Sequence, residues 1–351
     1  MSVYKENLSK SDYLMKLPSN YELLVVSFFV TNPKALVKLK DQWDRRDAEH
    51  KGYLGRSKEE HEAVSSKTFG GSIALIDPNN LGFGFIFEIK CPVATGMYYY
   101  KTKDILYVGS NKWIRKIKHG KIIGSLGIGL FNDIHALSES LGGNLLVTSS
   151  GVDAILEINL DDPRKIVWDW FATENGYNKT PTGNVRVIDR KSNFQTITTT
   201  TPEHTTHINS CLNYRKNKIL ATLFHQGELI EINMKTKESK TLLRGLKCPH
   251  SIRKRKGGYL VSDTRNNRVL LLDKNFEIKK ILKNNYDWVQ DTIELSNGNL
   301  VIGDSNNNRI IRVDKNGKEL EISQTEKNSR KIFSFLAITK SGAMDIFGIG
   351  N

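Results

Sequence analysis

The sequence predicts an all-β fold in which one unit of short strands returns along the chain, and three observations lead to this. Small-residue turns followed by apolar runs recur at intervals of about 40 residues. A second turn and a second apolar strand, which ends in an acidic or amide residue, follow each of them. No segment reaches the about 18 consecutive apolar residues that span a bilayer. A repeated β unit therefore builds the core.

The repeat is clearest after each opening strand. Its turns and second strands read GGNLLV (142–147), GGYLV (257–261) and NGNLV (297–301), and its third strands read AILEIN (154–159), VLLLD (269–273) and IIRVD (310–314). Segments 216–220 with 228–233 and 103–108 with 113–118 follow the same pattern. None of these short strands can bury its faces alone, and such a repeat predicts a β-propeller.

A sixth blade is predicted from the two ends of the chain. Segment 333–339 (FSFLAIT) is an opening strand without followers, and residues 21–89 supply three strands without an opening strand. Pairing them closes the ring and removes an exposed strand edge. We therefore expect a six-bladed propeller over 21–351 as a single domain, after a polar lead-in at 1–20.

Two long insertions interrupt the repeat. Residues 31–70 contain a mixed-charge, helix-compatible segment, and residues 171–203 join an outer strand to the next blade. Both are predicted to emerge on the face where the inner strands begin, which we call the top face. Long loops in compact domains are usually functional or disordered, so both are expected to cover the mouth of the axis there.

The composition restricts the partners. A net charge of +14 and a pI near 9.5 favour anions, so a small anionic substrate is expected. The basic residues are scattered without a recognised nucleic-acid motif, so nucleic acid is not the predicted partner. Three cysteines without a CxxC pair argue against a disulfide scaffold, and the start of the chain lacks the apolar core of a signal peptide. A cytoplasmic protein without a membrane partner is expected, and its oligomeric state stays open.

Histidines recur at one place in the repeat. Counting back eight residues from the second turn position gives His135, His250 and Gln290. The same count in the fourth unit gives Asn209, so His207 matches only if that turn is longer. Converging imidazoles with an open position suit a divalent ion such as Zn, Fe or Mn. His135, His207, His250 and Gln290 are therefore the predicted metal ligands; the alternative is that each histidine bonds a strand start or a neighbouring carbonyl.

Three further residues are candidates for catalysis. Asp133, two residues before His135, is placed to fix an imidazole tautomer. Arg186 and Arg190 in the second insertion are candidates for binding an anion, and the alternative is a solvated charge cluster.

Another three polar residues are predicted to be structural. His225, Asp263 and Asp304 are assigned to turns between first and second strands on the opposite face, where they bond local backbone.

Several segments resemble known propeller repeats. DTRNNRVLLLD (263–273) and DSNNNRIIRVD (304–314) resemble NHL-type repeats, and 135–159 and 207–233 resemble repeats of arylsulfotransferase-type propellers. The arylsulfotransferase resemblance implies sulfate transfer through top-face histidines and an arginine. The similar peptidyl-hydroxyglycine lyase propellers imply zinc held by histidines of different blades. Val289-Gln290-Asp291 departs from the sulfotransferase pattern, which would place a nucleophilic histidine here.

Three functional hypotheses follow. The leading one is a metal-dependent enzyme of lyase, hydrolase or oxygenase type that acts on a small polar or acidic substrate. The alternatives are metal-free group transfer through histidine and a non-catalytic propeller that binds protein or nucleic acid.

Overall fold

Six antiparallel sheets of four strands form a ring of blades in the computed structural model, which describes residues 9–36, 66–326 and 329–350. Blade I contains β1 (Glu22–Val30), β2 (Ser72–Ile76), β3 (Phe85–Lys90) and β24 (Lys331–Thr339). Blade II contains β4 (Ala94–Tyr100), β5 (Ile105–Ser110), β6 (Trp113–Lys118) and β7 (Lys121–Leu126). Blade III contains β8 (Ile134–Glu139), β9 (Leu145–Ser149), β10 (Ala154–Ile158) and β11 (Ile166–Phe171).

The other three blades follow the same order. Blade IV contains β12 (Ile208–Arg215), β13 (Lys218–Leu223), β14 (Glu228–Asn233) and β15 (Ser239–Leu243). Blade V contains β16 (Ile252–Arg255), β17 (Gly258–Asp263), β18 (Arg268–Asp273) and β19 (Ile278–Lys283). Blade VI contains β20 (Val289–Glu294), β21 (Leu300–Asp304), β22 (Arg309–Val313) and β23 (Glu319–Gln324). Helices α1 (Lys10–Lys16), α2 (Ser66–Phe69) and α3 (Lys340–Phe347) accompany the sheets.

The burial of each strand depends on its position within the blade. The second strands lose almost all exposure, as in β9 and β17, because neighbouring blades pack on both of their faces. The outer strands β7 and β19 expose most of their residues. Consecutive inner strands contact one another all the way round, including β24 with β20 and β4. These observations confirm the predicted six-bladed propeller.

The ring closes through the predicted pairing of the two ends. β24 pairs with β1 from Glu22 opposite Thr339 to Val30 opposite Lys331, and it forms the inner edge of blade I. Beyond β24, the Nζ of Lys340 donates to the carbonyl oxygens of Met15 and Leu17 at the end of α1. The N-terminal and C-terminal segments are therefore joined in one blade.

The strand order places two kinds of connection on the top face. Links between blades arrive there, and so do the turns between second and third strands. The first insertion leaves β1 and returns to β2 on this face, and its residues 37–65 lie outside the described residues, as does most of the predicted helical segment. The second insertion leaves β11 and folds back onto the link that enters blade III, where Asn132 Nδ2 donates to the carbonyls of Phe194 and Ile197.

One prediction about faces is wrong. His225, Asp263 and Asp304 lie at turns between second and third strands, so they share the top face with the histidines. Asp263 and Asp304 accept from the backbone amides of Lys247 and Asp287, which lie not in their own turns, as predicted, but in the links that enter blades V and VI. In the described part of the chain, no helix has the length and apolarity needed to cross a membrane.

Candidate metal centre and axial channel

Two rings of residues surround the axis at the top face. One residue with left-handed backbone precedes the inner strand in five blades, and together they form the upper ring: Val93 (φ 52°), Asp133 (51°), His207 (48°), Cys248 (50°) and Trp288 (67°). The residues two positions later form the lower ring: Thr95, His135, Asn209, His250 and Gln290.

This register corrects the placement of His207. The residue equivalent to His135 is Asn209, since Ile134 and Ile208 take corresponding positions opposite Ser149 and Leu223. The β12–β13 turn is therefore not lengthened, and the eight-residue spacing from the turn holds for Asn209 as it does for His135. His207 belongs to the upper ring, where it corresponds to Asp133.

The upper ring contains a compact group of candidate metal ligands. Among the described residues, Asp133, His204 and His207 form a group whose ligand atoms all lie within 4.8 Å of one another. The Nδ1 atoms of His204 and His207 are 2.7 Å apart, and Asp133 Oδ2 lies 3.8 Å from His207 Nδ1. Both imidazoles are buried, whereas the carboxylate of Asp133 is 34% exposed. The group is therefore reachable from the side of Asp133.

A chain of hydrogen bonds sets the tautomer of His204. Asn132 donates through Nδ2 to two carbonyls, so its Oδ1 is the acceptor for the hydroxyl of Thr199 at 2.9 Å. The hydroxyl of Thr199 donates its single proton in this bond, so its oxygen accepts from His204 Nε2 at 3.1 Å. The proton of neutral His204 is thus on Nε2, and a lone pair on Nδ1 faces His207.

The carboxylate of Asp153 holds the backbone that carries His207. Its Oδ1 accepts from the amides of Thr206 at 2.8 Å and His207 at 3.0 Å, and its Oδ2 accepts from the amide of Thr205 at 2.8 Å. Asp153 is fully buried, and the guanidinium of Arg186 pairs with it at 2.5 Å. A buried, hydrogen-bonded ion pair thereby fixes the position of a candidate ligand from behind.

In the lower ring, His135 and His250 each make the same kind of hydrogen bond to the residue two positions earlier. The Nδ1 of His135 lies 3.0 Å from the carbonyl oxygen of Asp133, and the Nδ1 of His250 lies 2.9 Å from that of Cys248. A carbonyl only accepts, so each Nδ1 carries a proton and each neutral ring keeps its lone pair on Nε2. The main-chain carbonyl of Asp133 therefore fixes the tautomer of His135, and a catalytic role of the Asp133 carboxylate stays a prediction.

The buried histidines are held in their neutral form. Burial lowers the pKa of His207 well below its usual value, and the neighbouring histidines, His135 first, lower it further. Burial likewise lowers the pKa of His250 to about 3, with a further contribution from His135. Neutral imidazole is the form that ligates metals and accepts hydrogen bonds.

The predicted metal ligands are only partly brought together. The rings of His135 and His207 meet edge to face with centroids 4.6 Å apart. The ring of His250 instead contacts Phe224 and Trp288, and Oε1 of Gln290 accepts from the indole of Trp288 at 2.9 Å. The compact group shares only His207 with the predicted ligand set, and it replaces His135, His250 and Gln290 by Asp133 and His204.

The predicted anion-binding arginines both contact acidic residues. Arg186 pairs with Asp153, and its other terminal nitrogen donates to the carbonyl of Gly151. Arg190 pairs with Asp169 and Glu174 at the outer edge of blade III. Their role in anion binding stays a prediction.

Sequence reasoning missed two histidines of this region as functional candidates. His204 does not occupy the repeat position of His135 and His250, although the spacing His204-x-x-His207 at the end of a long insertion is a metal-ligand signal. His225 was assigned to the wrong face; its ring centroid is 6.0 Å from that of His207, and its Nε2 donates to the carbonyl of Thr201 at 2.9 Å.

An axial channel lies below the upper ring. Its volume is about 320 Å³, and the lower-ring residues His135, Asn209, His250 and Gln290 line it together with Phe333. Further along the channel, Arg253 pairs with Asp291 at 2.5 Å. The candidate metal group thus adjoins a small channel through the contact between the rings of His207 and His135.

Comparison with solved structures agrees with this architecture. A protein of unknown function from Bacteroides caccae matches with a TM-score of 0.54 at 15% identity, over 76% of this chain and 94% of that one. A chain of a nidogen/laminin complex matches with a TM-score of 0.52 at 13% identity, over 76% and 94%. A streptogramin B lyase matches with a TM-score of 0.50 at 11% identity, over 92% and 100%. The shared feature is the β-propeller fold. No family model matches the sequence, and no curated protein matches it.

Proposed function

We propose that this chain is a metal-dependent enzyme whose Asp133, His204 and His207 bind a divalent transition-metal ion at the mouth of the axial channel. The observation that supports this most strongly is the lone pair on His204 Nδ1. A directed chain from Asn132 through Thr199 holds it toward a second imidazole nitrogen. Metal-ligating histidines are oriented in this way by a partner on the other ring nitrogen.

The side chains present fit such an ion. Two imidazoles and one carboxylate suit Zn, Fe or Mn and leave coordination positions open. Without an ion, the 2.7 Å contact requires His207 Nδ1 to donate to His204 Nδ1. A shift of the His207 proton from Nδ1 to Nε2 would leave both Nδ1 atoms free to act as ligands on neutral rings, so the same pair serves either state.

The neighbouring residues have roles that do not depend on the ion's identity. His135 lies between His207 and the channel, and the lone pair on its Nε2 can take a proton from a bound substrate. The rings of Phe333 and Phe224 pack against His135 and His207 and limit the access of water. A bound metal would add Lewis acidity at the mouth.

The channel volume restricts the substrate to a small molecule. About 320 Å³ is near the lower limit of ligand pockets. Lyase, hydrolase and oxygenase chemistry all fit a metal with an adjacent base. The streptogramin B lyase that shares the fold supports lyase chemistry among these three.

Metal content and metal-dependent stability test the proposal. Protein purified without chelator should contain about one equivalent of Zn, Fe or Mn, and denaturant unfolding should show lower stability after chelation. An ion at 100 times its Kd adds about 2.7 kcal/mol. Asp133→Asn and His204→Gln should remove this difference. Asn suits position 133 because it tolerates left-handed backbone.

His119→Asn is the matched control. His119 is exposed, has left-handed backbone (φ 49°) and lies in the β6–β7 turn away from the top face. It should keep full metal binding. Equal stability of wild-type protein with and without each of the three metals would contradict the proposal.

A further inference from the structure

One buried oxygen at the axial channel has no hydrogen-bond partner among the residues that the structure describes. Asn209 is 3% exposed and lines the channel, and its Oδ1 is a buried acceptor without a donor. Its Nδ2 donates to the carbonyl of Pro249 at 2.8 Å, which fixes the orientation of the amide. A buried polar atom left unsatisfied costs about 1–3 kcal/mol, so a ligand that donates to it would recover this energy.

Two further acceptors lie in the same ring. His135, Asn209 and His250 occupy equivalent positions in the consecutive blades III, IV and V, and all three line the channel. The carbonyls of Asp133 and Cys248 take the Nδ1 protons of the two histidines, so each neutral ring offers an Nε2 lone pair. The channel therefore presents three acceptors to one ligand.

The surrounding charges disfavour a cationic ligand. Arg253 and Asp291 form a bidentate pair along the channel at 2.5 and 3.1 Å, so this part carries no net charge. The Nζ of Lys331 lies 5.3 Å from the ring of Trp288 and adds positive charge beside His250. Gln290 also lines the channel, and since its Oε1 accepts from Trp288, its Nε2 is the amide atom that can donate to a ligand. An ammonium group has no lone pair for such a donor.

Aromatic rings flank the acceptors. Phe333 meets His135 with centroids 5.5 Å apart, and Trp288 meets His250 at 5.5 Å. Apolar ring surfaces beside hydrogen-bond acceptors match a molecule whose C–H groups alternate with hydroxyls.

We propose that the lower ring binds a small uncharged polyol whose hydroxyl groups donate to His135 Nε2, His250 Nε2 and Asn209 Oδ1. A hydroxyl both donates and accepts, so the same molecule also takes a bond from Gln290. The inference rests on the proposed function in one respect, because it names the substrate class of that enzyme. The binding itself needs no metal.

Calorimetry and saturation-transfer NMR on the full chain, after chelation of metals, test the inference. The probes are myo-inositol and D-glucose as polyols, ethanolamine as a cation and sulfate as an anion. We expect saturable binding of a polyol and none of the charged probes. Asn209→Leu should weaken polyol binding about tenfold, which corresponds to about 1.4 kcal/mol.

A second variant distinguishes a loss of binding from a loss of folding. His250→Phe keeps the ring shape and removes both nitrogens, and it should weaken binding to a similar degree while circular dichroism stays that of wild type. His119→Asn should bind as wild type does. Equal polyol affinity in wild type and both ring variants, or tighter binding of ethanolamine or sulfate, would overturn the inference.

The two proposals fail separately. Polyol binding in a protein that takes up no metal would refute the metal centre and leave the polyol site intact. Metal binding without any polyol binding would refute the polyol site alone.

Discussion

Two junctions between blades are held by the same kind of hydrogen bond, from the amide of an upper-ring residue to a side chain of the preceding blade. We call this contact a latch, and the two latches differ in strength. In blades III and V, the turn between the second and third strands ends in a left-handed residue, Asp153 (φ 50°) and Asn267 (φ 53°). Asn267 Oδ1 accepts from the amide of Trp288 at 2.9 Å, and Asp153 Oδ1 accepts from the amide of His207 at 3.0 Å. Both side chains thus hold the upper-ring residue that opens the following strand.

The latch formed by Asp153 differs from the one formed by Asn267 in its charge and in the number of hydrogen bonds that it accepts. The carboxylate of Asp153 also accepts from the amides of Thr205 and Thr206, and it pairs with Arg186. The stronger latch holds the candidate ligand His207, whereas the weaker one holds Trp288. Precise ligand placement requires such support, because small displacements weaken metal binding.

Blade IV, which follows the stronger latch, departs from the repeat at its own turn. In blades III, V and VI the last residue of the second strand accepts the amide of the residue before the upper ring; these residues are Ser149, Asp263 and Asp304. Blade IV has Leu223 there and Gly227 at the left-handed position. Its turn instead places Phe224 and His225 against His207. Departures from a repeat are expected at functional sites.

Removal of the two latches should give the largest difference. Asp153→Gly and Asn267→Gly both keep a residue that tolerates left-handed backbone. Asp153→Gly leaves Arg186 and three amides without their acceptor and should cost about 3–5 kcal/mol, whereas Asn267→Gly should cost about 1 kcal/mol. Denaturant unfolding measures both. Equal losses would show that the two latches are equivalent.

The departure in blade IV predicts the next largest effect. Gly227 has φ +62°, and a Cβ there would lie 2.1 Å from the carbonyl oxygen of Leu246; Gly143 has φ +78° and open space around it. Gly143→Ala should cost about 1 kcal/mol for backbone strain alone, and Gly227→Ala about 2–4 kcal/mol because overpacking is added. Thermal or denaturant unfolding of the pair separates the two contributions. Similar costs would mean that this turn has room to relax.

The smallest effect near neutral pH concerns the acid sensitivity of His250. Its pKa is about 3 in the folded protein and near 6.5 when unfolded. Between these values the unfolded state binds the extra proton, so stability falls as the pH is lowered from 6.5 to about 3. The slope is about 1.4 kcal/mol per pH unit. His250→Gln should reduce the slope of unfolding free energy against pH by this amount, and His119→Asn should not. An unchanged slope in His250→Gln would show that the ring titrates normally.

The fold could be predicted because its causes are local and repeated. Turn residues such as Gly142–Gly143 and apolar strands recur at a fixed period, and closure follows from the unmatched strands at 21–89 and 333–339. The site could be predicted only to the correct face and neighbourhood. The left-handed residue before five of the inner strands has no uniform side chain, since it is aspartate, histidine, cysteine, valine or tryptophan. Residue type in the sequence therefore could not distinguish upper-ring from lower-ring positions.

The hydrogen bonds that position the candidate ligands also could not be predicted from the sequence. Asp153 and His207 are separated by more than fifty positions, and their contact depends on how blades III and IV meet. The tautomer of His204 depends on Asn132 in another blade. Non-local hydrogen bonds of this kind leave no periodic signal.

The pairing of β24 with β1 also sets the order in which the site can be assembled during synthesis. The ring of Phe333 in β24 packs against His135, so one wall of the channel comes from a strand that the ribosome makes after all the candidate metal ligands. A nascent chain without β24 has Asp133, His204 and His207 but neither a closed ring nor a covered channel. Polyol binding by translation-arrested chains should therefore begin only when β24 has left the ribosome.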